Sequence, residues 1–186
     1  MKIILSPDTL LRQKCEPVSP EELPRIAQLA KKMAKAMYQH EGCGLAAPQI
    51  GVSKQVIVLD TNVPKEGEER THDPLVIINP CNIKLGDETE LDEEGCLSIP
   101  GITVSIRRST SIELEAMDLE GNTIVISAEG FDARALQHEL DHLEGTTMFE
   151  RIDVVARSAK LKEYELARAA GVKPGDTSVE QRGQGA

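Results

Sequence analysis

The hydrophobic pattern changes period twice along the chain, and that change decides which elements it can form. From Ile26 through Leu29, Ala30, Met33 and Met37, apolar residues recur three and four apart, the spacing of one helix face. Ser19-Pro20-Glu21-Glu22 offers a cap ahead of them, Pro24 is comfortable only in a first turn, and Gly42-Cys43-Gly44 stops the run, so a helix is predicted over about 24–40. From Gln55 to Asp118 the pattern becomes that of strands. Val56–Leu59, Leu75–Ile78, Thr103–Arg107 and Ser111–Ala116 fit it, and in the last of them Ile112, Leu114 and Ala116 alternate with Glu113 and Glu115. Asp118–Asn122 reads as a turn into Thr123–Ser127, closing an antiparallel hairpin, while charged Thr61–Asp73 reads as a surface loop. Helical spacing returns at Phe131–Leu143, with Leu136, Leu140 and Leu143 on one face, and again over about 153–170. Residues 171–186 are polar and glycine-containing, which predicts a flexible tail after a single domain over 1–170.

Composition narrows the function. With 186 residues, 40% of them hydrophobic, the chain buries roughly 70% of its unfolded surface without staples. Its only aromatics are Tyr38, Tyr164, Phe131 and Phe149, so the core is aliphatic and no platform exists for stacking bases. A net charge of −10 also disfavours phosphate backbones, so DNA is not expected as a partner. Apolar runs such as Val56–Leu59 fall far short of the roughly 20 residues of a membrane span. Only three apolar residues separate Met1-Lys2 from Ser6-Pro7-Asp8, so no signal peptide is expected and the location is cytoplasmic. Cys15, Cys43, Cys81 and Cys96 form no C-x-x-C pair and are expected as reduced thiols.

The chemistry concentrates in Gln137-His138-Glu139-Leu140-Asp141-His142. This H-E-x-x-H pattern puts two imidazoles one helical turn apart, within reach of one metal ion, with leucines on the opposite side. A third ligand is needed. The metzincin pattern fails because Met148 stands where its last His belongs. Glu163 or Glu165 would complete a thermolysin-like site, and Cys96, in Glu94-Gly95-Cys96-Leu97-Ser98, is the other candidate. Gly42-x-Gly44-x-x-Ala47 fits a dinucleotide fingerprint on paper, but a helix precedes it and a strand follows, the reverse of what that motif requires.

Three segments together resemble the peptide deformylase family: Gly42-Cys43-Gly44-Leu45-Ala46-Ala47-Pro48-Gln49, then Glu94-Gly95-Cys96-Leu97-Ser98, then Gln137-His138-Glu139-Leu140-Asp141-His142. With Leu5-Ser6-Pro7-Asp8, Leu11-Arg12 and Pro17-Val18, the resemblance covers roughly residues 3–150. It implies an α+β fold in which antiparallel strands surround the helix bearing the H-E-x-x-H ligands, followed by a C-terminal helix. It also implies Cys96, His138 and His142 as ligands of one divalent metal ion, ferrous iron in many members and zinc in some. The activity implied is removal of the formyl group from formyl-methionyl nascent peptides, with release of formate. A thiolate and two imidazoles leave a fourth position for a water, and Glu139, on the same helix, is placed to move that water's proton. By resemblance, Gln49 and the Leu97 backbone N–H stabilise the carbonyl oxygen under attack.

Gly42–Leu45, with Gly44, and the stretch after Cys96 are candidates for pairing with an extended substrate, Gly95 for contact with it, and Cys43, Phe131 and Ala135 for its methionine pocket. Arg108 is expected beside Asp141, steadying the ligand helix from behind. Cys43 replaces the family's more usual aliphatic residue, Ile102-Thr103-Val104-Ser105 lacks its frequent Tyr and Gly, and the acid-rich Asp87–Glu94 alters the rim. Residues 151–173 hold six basic and three acidic side chains, against 14 and 26 over 1–150; the resemblance suggests that this basic helix docks on the ribosome.

Overall fold

The computed structural model describes residues 2–62 and 71–176. Helix α1, Leu23–Gln39, carries Pro24 in its first turn and leads almost directly into the short strand β1, Gly44–Ala46. Strands β2 (Val56–Leu59), β3 (Leu75–Leu85), β4 (Thr89–Cys96), β5 (Ile99–Ser109), β6 (Ser111–Met117) and β7 (Thr123–Glu129) follow. Helix α2, Gly130–Leu143, comes next, and α3, Val154–Ala169, closes the chain of elements. The strands form a five-stranded sheet in the order β1-β2-β3-β6-β7 and a separate β4-β5 hairpin, every pair antiparallel. The fold is α+β, as the resemblance implies. No helix among the described residues is long and apolar enough to cross a membrane.

The two-residue period of β2 explains how the layers stack. Val56 and Val58 pack with Met33, Met37 and Leu45 toward α1, whereas Ile57 and Leu59 pack with Ile77, Leu114 and Leu136 toward α2. The sheet thus lies between the two helices. A third apolar cluster, including Ile99, Ile106, Phe149 and Tyr164, joins the hairpin to α3. Helix α2 touches strands of both the sheet and the hairpin, which makes it the central element.

Four expectations need correction. Acid-rich 87–94, where no strand is predicted, is mostly strand β4: five successive residues, Thr89–Glu93, face solvent, and only Glu94 and Cys96 turn inward, so no apolar alternation marks it. Strand β3 runs on past Ile78 to Leu85 through register shifts, with Asn79 and Asn82 at positive φ. Helix α2 is not apolar on one face only, because ten of its fourteen residues are buried, its polar ones among them. The segment from Gly171 does not fray at once: Val172 is buried and Gly101 N–H donates to the Asp176 carbonyl at 2.7 Å. The remainder of that tail, 177–186, and most of the expected 61–73 loop lie outside the described residues.

Candidate metal centre

Helix α2 supplies His138 and His142 one turn apart, their rings 5.0 Å between centroids and edge to face. The end of β4 brings Cys96 against them, with its Sγ 3.3 Å from His142 Nε2. The sulfur and one nitrogen of each ring all lie within 4.8 Å of one another, and all three residues are buried. Glu163 and Glu165 are both exposed on α3, Glu163 paired with Lys160 at 2.8 Å, and neither joins the two histidines among the described residues, so the thermolysin-like alternative lacks its third ligand. Burial above all, with Arg108 nearby, holds His142 well below its ordinary pKa. One thiol and two imidazoles suit a borderline divalent ion such as iron or zinc, and the residues fit the group that the sequence implies.

Strand geometry also explains what steadies His138. Glu94, two residues before Cys96, turns inward with it, although the pairing of β4 with β5 shifts register between the two. His138 Nδ1 donates to Glu94 Oε2 at 2.9 Å, while Arg108 donates through Nε and Nη2 (2.8 and 2.9 Å) and Arg134 through Nη1 (2.9 Å) to the same carboxylate. Burial opposes the charge on Glu94, but Arg108 and His138 outweigh it and bring its pKa down to about 2. Arg108 Nη1 also reaches Asp141 Oδ2 at 2.7 Å, the pairing anticipated from the sequence. Arg151 adds a second guanidinium to Asp141, through Nε at 2.8 Å and through Nη2.

Glu139 lies against the backbone of β1. A Cβ on Gly44 would fall 2.5 Å from Glu139 Oε1, so only glycine leaves room for that carboxyl. Glu139 Oε2 is buried and has no hydrogen-bond partner among the described residues. Burial is the main reason that its pKa rises to about 7; His138 opposes the shift, and Glu94 and Asp141 add to it. Gln49 is held by the Ala46 N–H, which donates to its Oε1 at 2.8 Å, and its Nε2 points toward Cys96 Sγ at 3.6 Å and Ser98 Oγ at 3.3 Å.

These groups open onto one cavity of about 230 Å³. Cys96, His138, Glu139 and Gln49 line it with Cys43, Gly44, Gly95, Leu97, Phe131 and Ala135. His142, Arg108 and Asp141 do not line it; His142 is almost wholly buried and the other two form the ion-pair network behind the ligand helix. Phe131 is 54% exposed and stands toward solvent. Reading the residues alone assigned no role to Glu94 or Arg134. The inward parity of Glu94 with Cys96 was the signal that could have found the first, and nothing in the pattern marked the second.

A family model described as polypeptide deformylase matches residues 1–158. A peptide deformylase of Rhizobium meliloti is 41% identical over 172 residues, 92% of this chain and 96% of the relative; that of Desulfitobacterium hafniense is 45% identical over 148 residues, 80% and 91% of the two chains. Among solved structures, peptide deformylase from Ehrlichia chaffeensis superposes with a TM-score of 0.78 at 33% identity, covering 90% of this chain and 96% of its own. One from Synechococcus elongatus in complex with actinonin gives 0.79 at 34%, covering 89% and 88%.

Proposed function

The chain belongs to the polypeptide deformylase family, metal-dependent hydrolases that remove the N-formyl group from nascent peptides, and from that premise we propose what each residue of the site does in the reaction. The observation that carries the proposal is the meeting of Cys96, His138 and His142 beside the buried, partnerless carboxyl oxygen of Glu139, on the cavity that Gln49 also lines.

Cys96, His138 and His142 hold one divalent metal ion, which when bound supplies a Lewis acid and a water of lowered pKa. Glu139 takes the proton of the attacking water and returns it to the departing amine nitrogen. Gln49 Nε2 and the Leu97 N–H donate to the formyl oxygen as negative charge builds on it, an interaction worth a few kcal/mol in the transition state. Glu94 receives the Nδ1 proton of His138 and fixes which ring nitrogen faces the ligand group. Strand β1 is an edge of its sheet, so an extended peptide pairs with the backbone around Gly44 and with the stretch about Gly95, while Cys43, Phe131 and Ala135 receive the methionine side chain. The cavity admits the small formyl group to Cys96 and Glu139, and the peptide departs as the amine.

We assign ferrous iron as the native ion, with zinc as the alternative; metal analysis of protein purified without oxygen decides between them. A substrate made on the ribosome places the reaction in the cytoplasm. Docking of the basic segment 151–173, which includes α3, on ribosomal RNA rests on Lys162, Arg168 and Lys173, because Arg151, Arg157 and Lys160 are already engaged by Asp141, Glu150 and Glu163. Helix α3 buries Tyr164 and Ala167, so charge reversal at Lys162 and Lys173 is a cleaner test than deletion. It should lower salt-dependent co-sedimentation with ribosomes, and unchanged binding would count against this route. The reaction itself is tested by formate release from a formyl-methionyl peptide beside endopeptidase substrates. Formate without internal cleavage is expected, and cleavage at an internal bond would overturn the assignment.

A further inference from the structure

The chain leaves α3 through Gly171, at φ +74°, and does not turn away into solvent. Val172 is buried against β5, where a Cβ on Gly101 would lie 2.7 Å from Val172 Cγ1. Beyond it the segment is tied at two places. Gly101 N–H donates to the Asp176 carbonyl at 2.7 Å, and His40 Nδ1, just past the end of α1, donates to the Pro174 carbonyl at 3.0 Å. A tight turn joins the two ties: Lys173 N–H donates to Asp176 Oδ2 at 2.7 Å and Asp176 N–H to the Lys173 carbonyl at 3.0 Å. Gly175 passes so close to α1 that a Cβ there would lie 2.8 Å from the His40 carbonyl oxygen, at a φ of +98°.

This strap reaches the reaction centre. Gly175 and Asp176 line the same cavity as Cys96, Glu139 and Gly44. The formyl group must lie at the inner, buried end, beside Cys96 and Glu139. The rest of the peptide then leaves toward solvent, where the lining residues are exposed or half-buried, and the strap is part of that side.

We propose that Gly175 and Asp176, held in place through Pro174, form a substrate-contacting wall, which binds the peptide downstream of the formyl-methionine and makes affinity for longer formyl-peptides depend on the C-terminal segment. The inference rests on the deformylase reading. It assigns the strap a role in binding and none in proton transfer, so its loss acts on KM and leaves kcat alone.

The test compares the full chain with a chain ending at Lys173 and with Gly175→Ala, which shifts the strap without removing it. Each is assayed on formyl-methionine amide and on a formyl-methionyl tetrapeptide, with thermal melts to confirm folding. Loss of one or two peptide contacts should raise KM for the tetrapeptide roughly three- to tenfold. KM for the amide and kcat for both substrates should stay within about twofold of the full chain. Equal KM values for the tetrapeptide in the full chain and a folded variant would overturn the proposal, as would an equal rise for both substrates. If truncation unfolds the protein, the comparison of Gly175→Ala with the full chain decides by the same two criteria. No formate from either substrate with the full chain would defeat the deformylase reading itself, and the proposal with it.

Discussion

Single side chains in this protein are placed by what their neighbours leave open. Gly44 is the clearest case, because the Glu139 carboxyl occupies the space of its missing Cβ. Gly44→Ala should keep the metal ligands intact but push Glu139 off its position, lowering kcat by about 10² or more, the scale of general acid–base catalysis. Steady-state kinetics beside metal content checks this. Glu94 acts at one remove, through His138. Glu94→Gln should weaken metal affinity by about 10- to 100-fold, measured by competition with a chelator. Its charge also carries a pH signature. The folded pKa of about 2 lies below the ordinary 4.5, so the stability from this carboxylate is complete above about pH 4.5 and fades as pH falls toward 2. The stability gap between the wild type and Glu94→Gln should therefore shrink across that window, as followed by denaturant melts at several pH values.

At the scale of elements, the β4–β5 hairpin is held on α2 by buried guanidinium groups. Arg134 donates to the carbonyls of Glu90 and Ile106 and to the Glu94 carboxylate, tying both hairpin strands to the turn of helix that precedes His138. Arg134→Met should cost about 3 kcal/mol, since it removes one partner of a buried charge cluster, and it should loosen Cys96 relative to the two histidines. Chemical denaturation and metal affinity would then fall together. The same region shows why sequence reading stopped short. The bounds of β2 and the start of β6 were legible because apolar side chains repeat there, and α1 because its apolar face keeps helical spacing. Strand β4 was not, since its pairing with β5 comes from backbone hydrogen bonds while its acids face water. The histidine pair was legible because metal chemistry restricts residue type and spacing, whereas Cys96 stood out only through the family resemblance. Arg134 was not, because what it recognises is mostly backbone carbonyl oxygen, which leaves no trace in residue identity.

For the whole molecule, the centre lies where three bodies meet: the sheet edge with Gly44, the helix with the histidines, and the hairpin with Cys96. Helix α3 joins them from outside, as Tyr164 Oη donates to the carbonyls of Ser6 and Ser98, the latter two residues beyond Cys96. A ligand bound at such a junction stabilises every body at once. Saturating metal at 100 times its dissociation constant should add roughly 2.7 kcal/mol to the native state, so a chelator should lower Tm and re-addition restore it.

This junction separates holding a metal from moving a proton, and Glu139→Gln tests that division of labour most directly. The substitution keeps shape and leaves Cys96, His138 and His142 untouched, but its amide cannot accept the water's proton. Measured together, metal content should stay at one ion per chain while formate release from a formyl-methionyl peptide falls by about 10² to 10⁴. A variant that keeps its metal and releases formate at nearly the wild-type rate would contradict the role given to Glu139.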